Sequence, residues 1–74
     1  MSDAISKLLP KSEELVTTYN LKDHTTVYVM SYDRFKGVYI LYSYANGKIK
    51  KIGRGENPLN LEEKYSVAEN IGCT

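Results

Sequence analysis

Apolar positions between Asp3 and Tyr19 fall at Ile5, Leu8, Leu9, Leu15, Val16 and Tyr19. At about 100° per residue they lie within an arc of roughly 120°, the width of a helix face resting on a core. The spacing predicts an N-terminal helix capped by Ser2 or Asp3 and stopped at Asn20 in a left-handed conformation. Pro10 falls inside it, where a proline removes a hydrogen bond and costs about 3 kcal/mol. The expectation is therefore one helix kinked at Pro10, or a turn followed by a helix whose first turn holds Ser12, Glu13 and Glu14.

From Thr25 to Arg54 the spacing changes to runs rich in β-branched and aromatic residues, broken at Asp33 to Lys36 and at Asn46-Gly47. These runs predict three strands in an antiparallel meander, with Gly37 to Tyr44 in the centre. A turn at Asp33 to Lys36 sets Val29 opposite Ile40 and Val27 opposite Tyr42. Asn46-Gly47 is the favoured pair for a two-residue type I′ turn, which sets Tyr44 opposite Ile49 and Tyr42 opposite Lys51. One face then carries Val27, Val29, Ser31, Val38, Ile40, Tyr42, Tyr44 and Ile49, and reads as the core face. The other carries Tyr28, Met30, Tyr32, Tyr39, Leu41, Lys50 and Ile52, and is apolar as well. Ile49 and Ile52 have opposite parity, so a bulge near Lys50 and Lys51 is expected to bring both onto one side.

Asn57-Pro58, or Asn60 with Glu63 in a capping box, opens a second helix. Leu61, Tyr65, Ala68 and Ile71 share one side of it, and Gly72 ends it. The expected fold is α+β, in the order α-β-β-β-α, with both helices packed on one face of the sheet.

Seventy-four residues, 42% apolar and 26% charged, describe a single small domain (residues 1–74), with no disorder signature. The one cysteine, Cys73, excludes an intrachain disulfide and a multi-cysteine zinc site. It suits a reducing compartment, and no apolar run approaches the roughly 20 residues of a membrane span. With no secretory or prenylation pattern, the expectation is a cytoplasmic chain without a membrane partner. A net charge of +1 argues against binding that rests on phosphate neutralisation over the whole surface.

Two surfaces stand out. Tyr28, Met30, Tyr32, Tyr39 and Leu41 form a candidate partner-binding face. The uncharged edge from Thr25 to Ser31 is a candidate for strand addition by a partner or by a second copy of the chain. The competing expectation is a nucleic-acid-binding module, using the exposed tyrosines with Lys48, Lys50, Lys51 and Arg54. Gly53-Arg54-Gly55 reads mainly as a turn out of a strand, and only secondarily as an anion cradle.

His24 beside Asp23 has no second imidazole and reads as a loop residue. The pairs Glu13-Glu14 and Glu62-Glu63 splay about 100° apart on a helix and cannot clamp one substrate. No phosphate loop or dinucleotide fingerprint occurs, so the expectation is no enzyme, no cofactor and no metal. Gly37-Val38-Tyr39, followed after eleven residues by Lys51-Ile52-Gly53, resembles the paired strands of the GIY-YIG nucleases. The resemblance departs at Lys51, where that family has tyrosine, and at Lys64, where it has arginine, so it implies no catalytic residues here. The function read from the residues is a small non-enzymatic interaction or regulatory protein, acting by protein binding or self-association.

Overall fold

A computed structural model of the chain describes residues 2–67, with side chains from residue 5 onward. In order these form α1 (Ser2–Leu8), β1 (Glu13–Asn20), β2 (Val27–Asp33), β3 (Val38–Ala45), β4 (Lys48–Gly55) and α2 (Pro58–Lys64). The strands build one four-stranded antiparallel sheet in the order β1-β2-β3-β4. The class is α+β as expected, but the meander has four strands, not three. The expected caps at Ser2 or Asp3, and the helix positions Ala68, Ile71 and Gly72, lie outside the described side chains and residues.

The fourth strand is taken from the second half of the expected N-terminal helix. Proline cannot continue a helix, and the chain leaves α1 through two turns. The Leu9 amide donates to the Ser6 carbonyl at 3.2 Å, and the Glu13 amide to the Pro10 carbonyl at 3.0 Å. Beyond them Val16, Thr17 and Thr18 are β-branched and favour extended backbone. Asn20 is no helix stop, since it pairs with Val27.

A bulge explains the helical look of the spacing. The β1–β2 register slips between Leu15 and Thr17, which leaves Val16 as the extra residue. The slip reverses the alternation, so Leu15 packs on one face and Tyr19 on the other. Val16 is left 48% exposed.

In the central hairpin Val27 pairs with Tyr44, Val29 with Tyr42 and Ser31 with Ile40, so the expected pairing is wrong by two residues. The turn runs over Arg34 to Gly37, one residue later than expected. It is set by Asp33, whose Oδ1 accepts from the Phe35 amide at 2.9 Å and the Lys36 amide at 3.1 Å. Gly37 closes it at φ +67°, donating its amide to the Asp33 carbonyl at 2.8 Å. A slip of two keeps every side chain on its expected face. Asn46 and Gly47, at φ 55° and 76°, make the expected tight turn, and Tyr44 pairs with Ile49 and Tyr42 with Lys51.

β4 also carries a bulge. Tyr42 opposes Lys51 while Leu41 opposes Gly53, so Ile52 is the added residue. Its consequence differs from the expectation, because Ile49 and Ile52 lie in the packing clusters of opposite faces. Arg54, opposite Ile40, shares the Ile49 face.

The helices take one face each, not a common one. Ile5 and Leu9, from α1 and the turn after it, pack with Val29, Ile40 and Tyr42. Leu61 of α2 and Val67 pack with Met30 and Leu41 on the other side. An antiparallel sheet apolar on both sides needs both covered, and full burial of one Met or Leu side chain stabilises by about 1.5–3 kcal/mol. Helix α2 starts at the first of the two expected places, where the Asn57 side chain accepts from the Leu59 amide at 2.9 Å.

Candidate functional site

With a helix on each face, the edges of the sheet left unpaired among the described residues are the outer sides of β1 and β4. They differ in chemistry. β4 exposes Lys48, Lys50, Lys51 and Arg54, a run of charge that discourages pairing with another strand. β1 exposes Glu14 at its start and then Val16, Thr17, Thr18 and Asn20, and from Leu15 to its end at Asn20 it carries no charged residue. Its amides and carbonyls alternate in direction, so those not used by β2 point outward along this uncharged rim.

Both ends of β1 are fastened by carboxylate–phenol contacts. At its start, Glu13 Oε1 accepts from Tyr42 Oη at 2.6 Å and from Ser31 Oγ at 2.7 Å, which links β1, β2 and β3 across the α1 face. Burial first, then the hydrogen bond to Glu13 and its charge, push the Tyr42 phenol well above the ordinary tyrosine range. Near its end, Tyr19 Oη donates to Glu62 Oε2 at 2.6 Å and ties β1 to α2. Burial, followed by the bond to Glu62, raises that phenol in the same direction. Among the described residues no buried side-chain nitrogen or oxygen is without a partner. Glu13 was read in the sequence only as a helix-face charge. The signal that identifies it is the presence of Ser31 and Tyr42 on a core face, where buried hydroxyls require an acceptor.

The tyrosine-rich set is brought together, but not as an open platform. Met30 and Leu41 are fully buried beneath Leu61 and Val67, and Tyr28 and Tyr39 pack half-buried against them. Tyr32 and Tyr39 pair across the strands with ring centroids 4.9 Å apart, tilted by 52°. The segment Thr25 to Ser31 is no free edge either, because β1 covers Val27 to Ser31.

The four cations of the nucleic-acid expectation are exposed but divided. Lys48 and Lys50, opposite Ala45 and Ser43, lie on the α2 side, whereas Lys51 and Arg54, opposite Tyr42 and Ile40, lie on the α1 side. Alternation alone separates Lys48 and Lys50 from Lys51, and the bulge at Ile52 puts Arg54 on the side of Lys51. Gly53 and Gly55 serve contact with α2. The Tyr65 ring lies against Gly53, with its hydroxyl donating to the Ile52 carbonyl at 2.6 Å, and Leu61 covers Gly55.

His24 occupies the β1–β2 loop at φ 62°. Beside it, Asp23 Oδ1 accepts from the amides of Thr26 and Thr25, which holds its carboxyl down at about 2. No group of three or more metal-capable side chains occurs among the described residues, and no helix among them is long and apolar enough to cross a membrane. No protein-family model matches the chain, and neither does any curated protein or solved structure.

Proposed function

We propose that this chain is a small non-enzymatic interaction or regulatory domain that binds by strand addition at the outer edge of β1. The observation that carries this reading is the contrast between the sheet's rims. One is guarded by four exposed cations, and the other, from Leu15 to Asn20, carries no charge, is β-branched from Val16 to Thr18 and pairs on its outer side with no other described strand. Strand addition draws affinity from main-chain hydrogen bonds, which such a rim supplies without desolvating a charge. The same logic pointed to Thr25–Ser31 in the sequence, and it moves outward by one strand once β1 is in place.

Catalysis gains no support from the one polar cluster. Glu13 is engaged by Ser31 and Tyr42. His24 lies at the other end of the β1–β2 hairpin, roughly 20 Å away at 3.3 Å per residue. Nucleic-acid binding is weakened by the division of Lys48, Lys50, Lys51 and Arg54 between two faces.

The test places a photo-crosslinking phenylalanine analogue at Thr17, and in a second variant at Lys50, in chain expressed in its source cells. Adducts concentrated at position 17 and removed by Thr18→Lys are expected, since an edge lysine blocks strand pairing. Equal labelling at both rims, or labelling at position 17 that ignores Thr18→Lys, contradicts the reading.

A further inference from the structure

The turn between β3 and β4 places a chemically labile pair in a conformation that restrains it. Asn46-Gly47 is the one Asn-Gly pair in the sequence. An asparagine side chain is open to attack by the main-chain nitrogen of the next residue, and glycine there hinders the approach least because it has no Cβ. Both residues are exposed, and nothing lies within 4 Å of a Cβ built on Gly47, so no neighbouring group shields the reaction.

The turn itself is the shield. Asn46 stands at φ 55°, in the left-handed region. At the ψ of about +47° that belongs to this region, the Gly47 nitrogen lies nearly anti to Asn46 Cβ across the Cα–C bond. Closing a five-membered ring needs the same two atoms nearly eclipsed. The rotation between the two states is close to half a revolution of ψ. The loop cannot make it while Ala45 pairs with Lys48 and Tyr44 with Ile49, because a connection of two residues leaves no slack.

We propose that Asn46 is a modification site gated by its hairpin: it deamidates when β3 and β4 part at the turn, and one of the two products keeps them from closing again. In the open state the Gly47 nitrogen bonds to Asn46 Cγ, the Cγ–Nδ2 bond breaks, and ammonia leaves with the Gly47 amide proton. The result is a cyclic imide. Solvent water then adds at one of its carbonyls. Breaking the bond from nitrogen to Cγ gives aspartate, and breaking the bond from nitrogen to the main-chain carbon gives isoaspartate. No oxidant or reductant is involved.

The two products differ in what they do to the fold. Aspartate before glycine suits the same tight turn. Isoaspartate routes the main chain through Cβ, which adds a carbon to a two-residue connection and turns the former main-chain carbonyl into a free carboxylate. The register of β4 is set by that connection, and its Gly53 and Gly55 lie against Tyr65 and Leu61. Isoaspartate therefore loosens the strand on which α2 sits. The inference is independent of the strand-addition reading, which concerns the other edge of the sheet.

The experiment incubates the whole chain at mildly alkaline pH without denaturant, in urea below the unfolding midpoint, and fully unfolded in urea. After digestion, the aspartyl and isoaspartyl forms of the peptide holding Asn46 are separated and quantified by mass spectrometry. Deamidation of the folded chain is expected to be at least about a hundredfold slower than that of the unfolded chain, the ratio reflecting the free energy of opening. Its rate should rise with urea even below the midpoint, since parting β4 from β3 exposes surface. The purified isoaspartyl chain should unfold at clearly lower urea than wild type, whereas Asn46→Asp should unfold close to wild type.

A folded chain that deamidates within about threefold of the unfolded rate overturns the inference, because the turn then gives no protection. A folded-state rate indifferent to urea below the midpoint also overturns it, since the reaction then needs no opening of the hairpin. So does an isoaspartyl chain that unfolds at the wild-type midpoint.

Discussion

Gly53→Ala isolates the seat of α2 on the sheet. A Cβ built on Gly53 falls 2.5 Å from Tyr65 Cε2 and 2.6 Å from Cζ, so the ring must leave its place. Displacing it gives up the hydrogen bond from Tyr65 to the Ile52 carbonyl, worth about 1 kcal/mol net. Forcing extra volume into a packed contact costs about 1–3 kcal/mol more. The sum is a loss of about 2–4 kcal/mol, in a domain of a size whose single core supplies about 3–5 kcal/mol.

The backbone itself raises no objection. Gly53 is not at positive φ, and alanine is about 0.5–1 kcal/mol better than glycine inside a strand. The penalty therefore belongs wholly to Tyr65. Tyr65→Ala alone loses the same hydrogen bond together with the burial of a half-covered ring. At roughly 100 Å² and 25 cal/mol/Å² that burial contributes about 2.5 kcal/mol.

The assay is urea unfolding of wild type, both single variants and the double variant. Once Tyr65 is alanine, Gly53→Ala should be neutral or slightly stabilising, a coupling of about 2 kcal/mol or more between the sites. Additive losses would show that Tyr65 does not lie on Gly53, and would refute the placement of α2 on this face.

Other expected outcomes follow from single contacts. The Tyr19 and Tyr42 phenols are raised in the folded chain, chiefly by burial and then by Glu62 and Glu13. The folded state therefore holds their protons more tightly than the unfolded state. Stability is fully present below the unfolded tyrosine pKa of about 10 and falls as pH rises above it. Tyr19→Phe with Tyr42→Phe should flatten that alkaline decline in unfolding midpoints measured from pH 8 to 11, and an unchanged decline would contradict it. Asp33→Ala should cost about 1–2 kcal/mol in urea unfolding by freeing the Phe35 and Lys36 amides, whereas Asp33→Asn, which keeps an acceptor, should cost less than about 1. Equal losses for the two would mean that charge, not the turn, is what Asp33 supplies.

How much of this was legible in the residues follows from where alternation held. β2 and β3 alternate without interruption, so the two faces could be assigned even though the pairing was misjudged by two residues. Asn46-Gly47 identified its hairpin because only residues tolerant of positive φ fit that turn. β1 was hidden because the bulge at Val16 breaks the period of two and leaves Leu15, Val16 and Tyr19 at helix-like spacing. Pro10 was the stronger evidence, and local propensity at Val16, Thr17 and Thr18 agreed with it.

The missing strand then displaced the candidate site. With only three strands, Thr25 to Ser31 looked like a bare rim, and with both helices on one face, Met30 and Leu41 looked exposed. An apolar second face was itself the sign that each helix covers one side. The division of the lysines was legible in the alternation, which sets Lys50 and Lys51 on opposite faces; only the side taken by Arg54 was not, since it depends on the bulge at Ile52.

The most direct test is amide hydrogen exchange followed by NMR, on the chain alone and with the protein crosslinked at position 17 added. The account predicts that alternate amides from Thr17 to Leu21 are protected in both samples by pairing with β2. The amides between them should be unprotected in the chain alone and become protected with the partner, while Lys48 to Gly55 does not change. Outward amides of β1 that stay unprotected with the partner bound, or protection appearing along β4 instead, would contradict it.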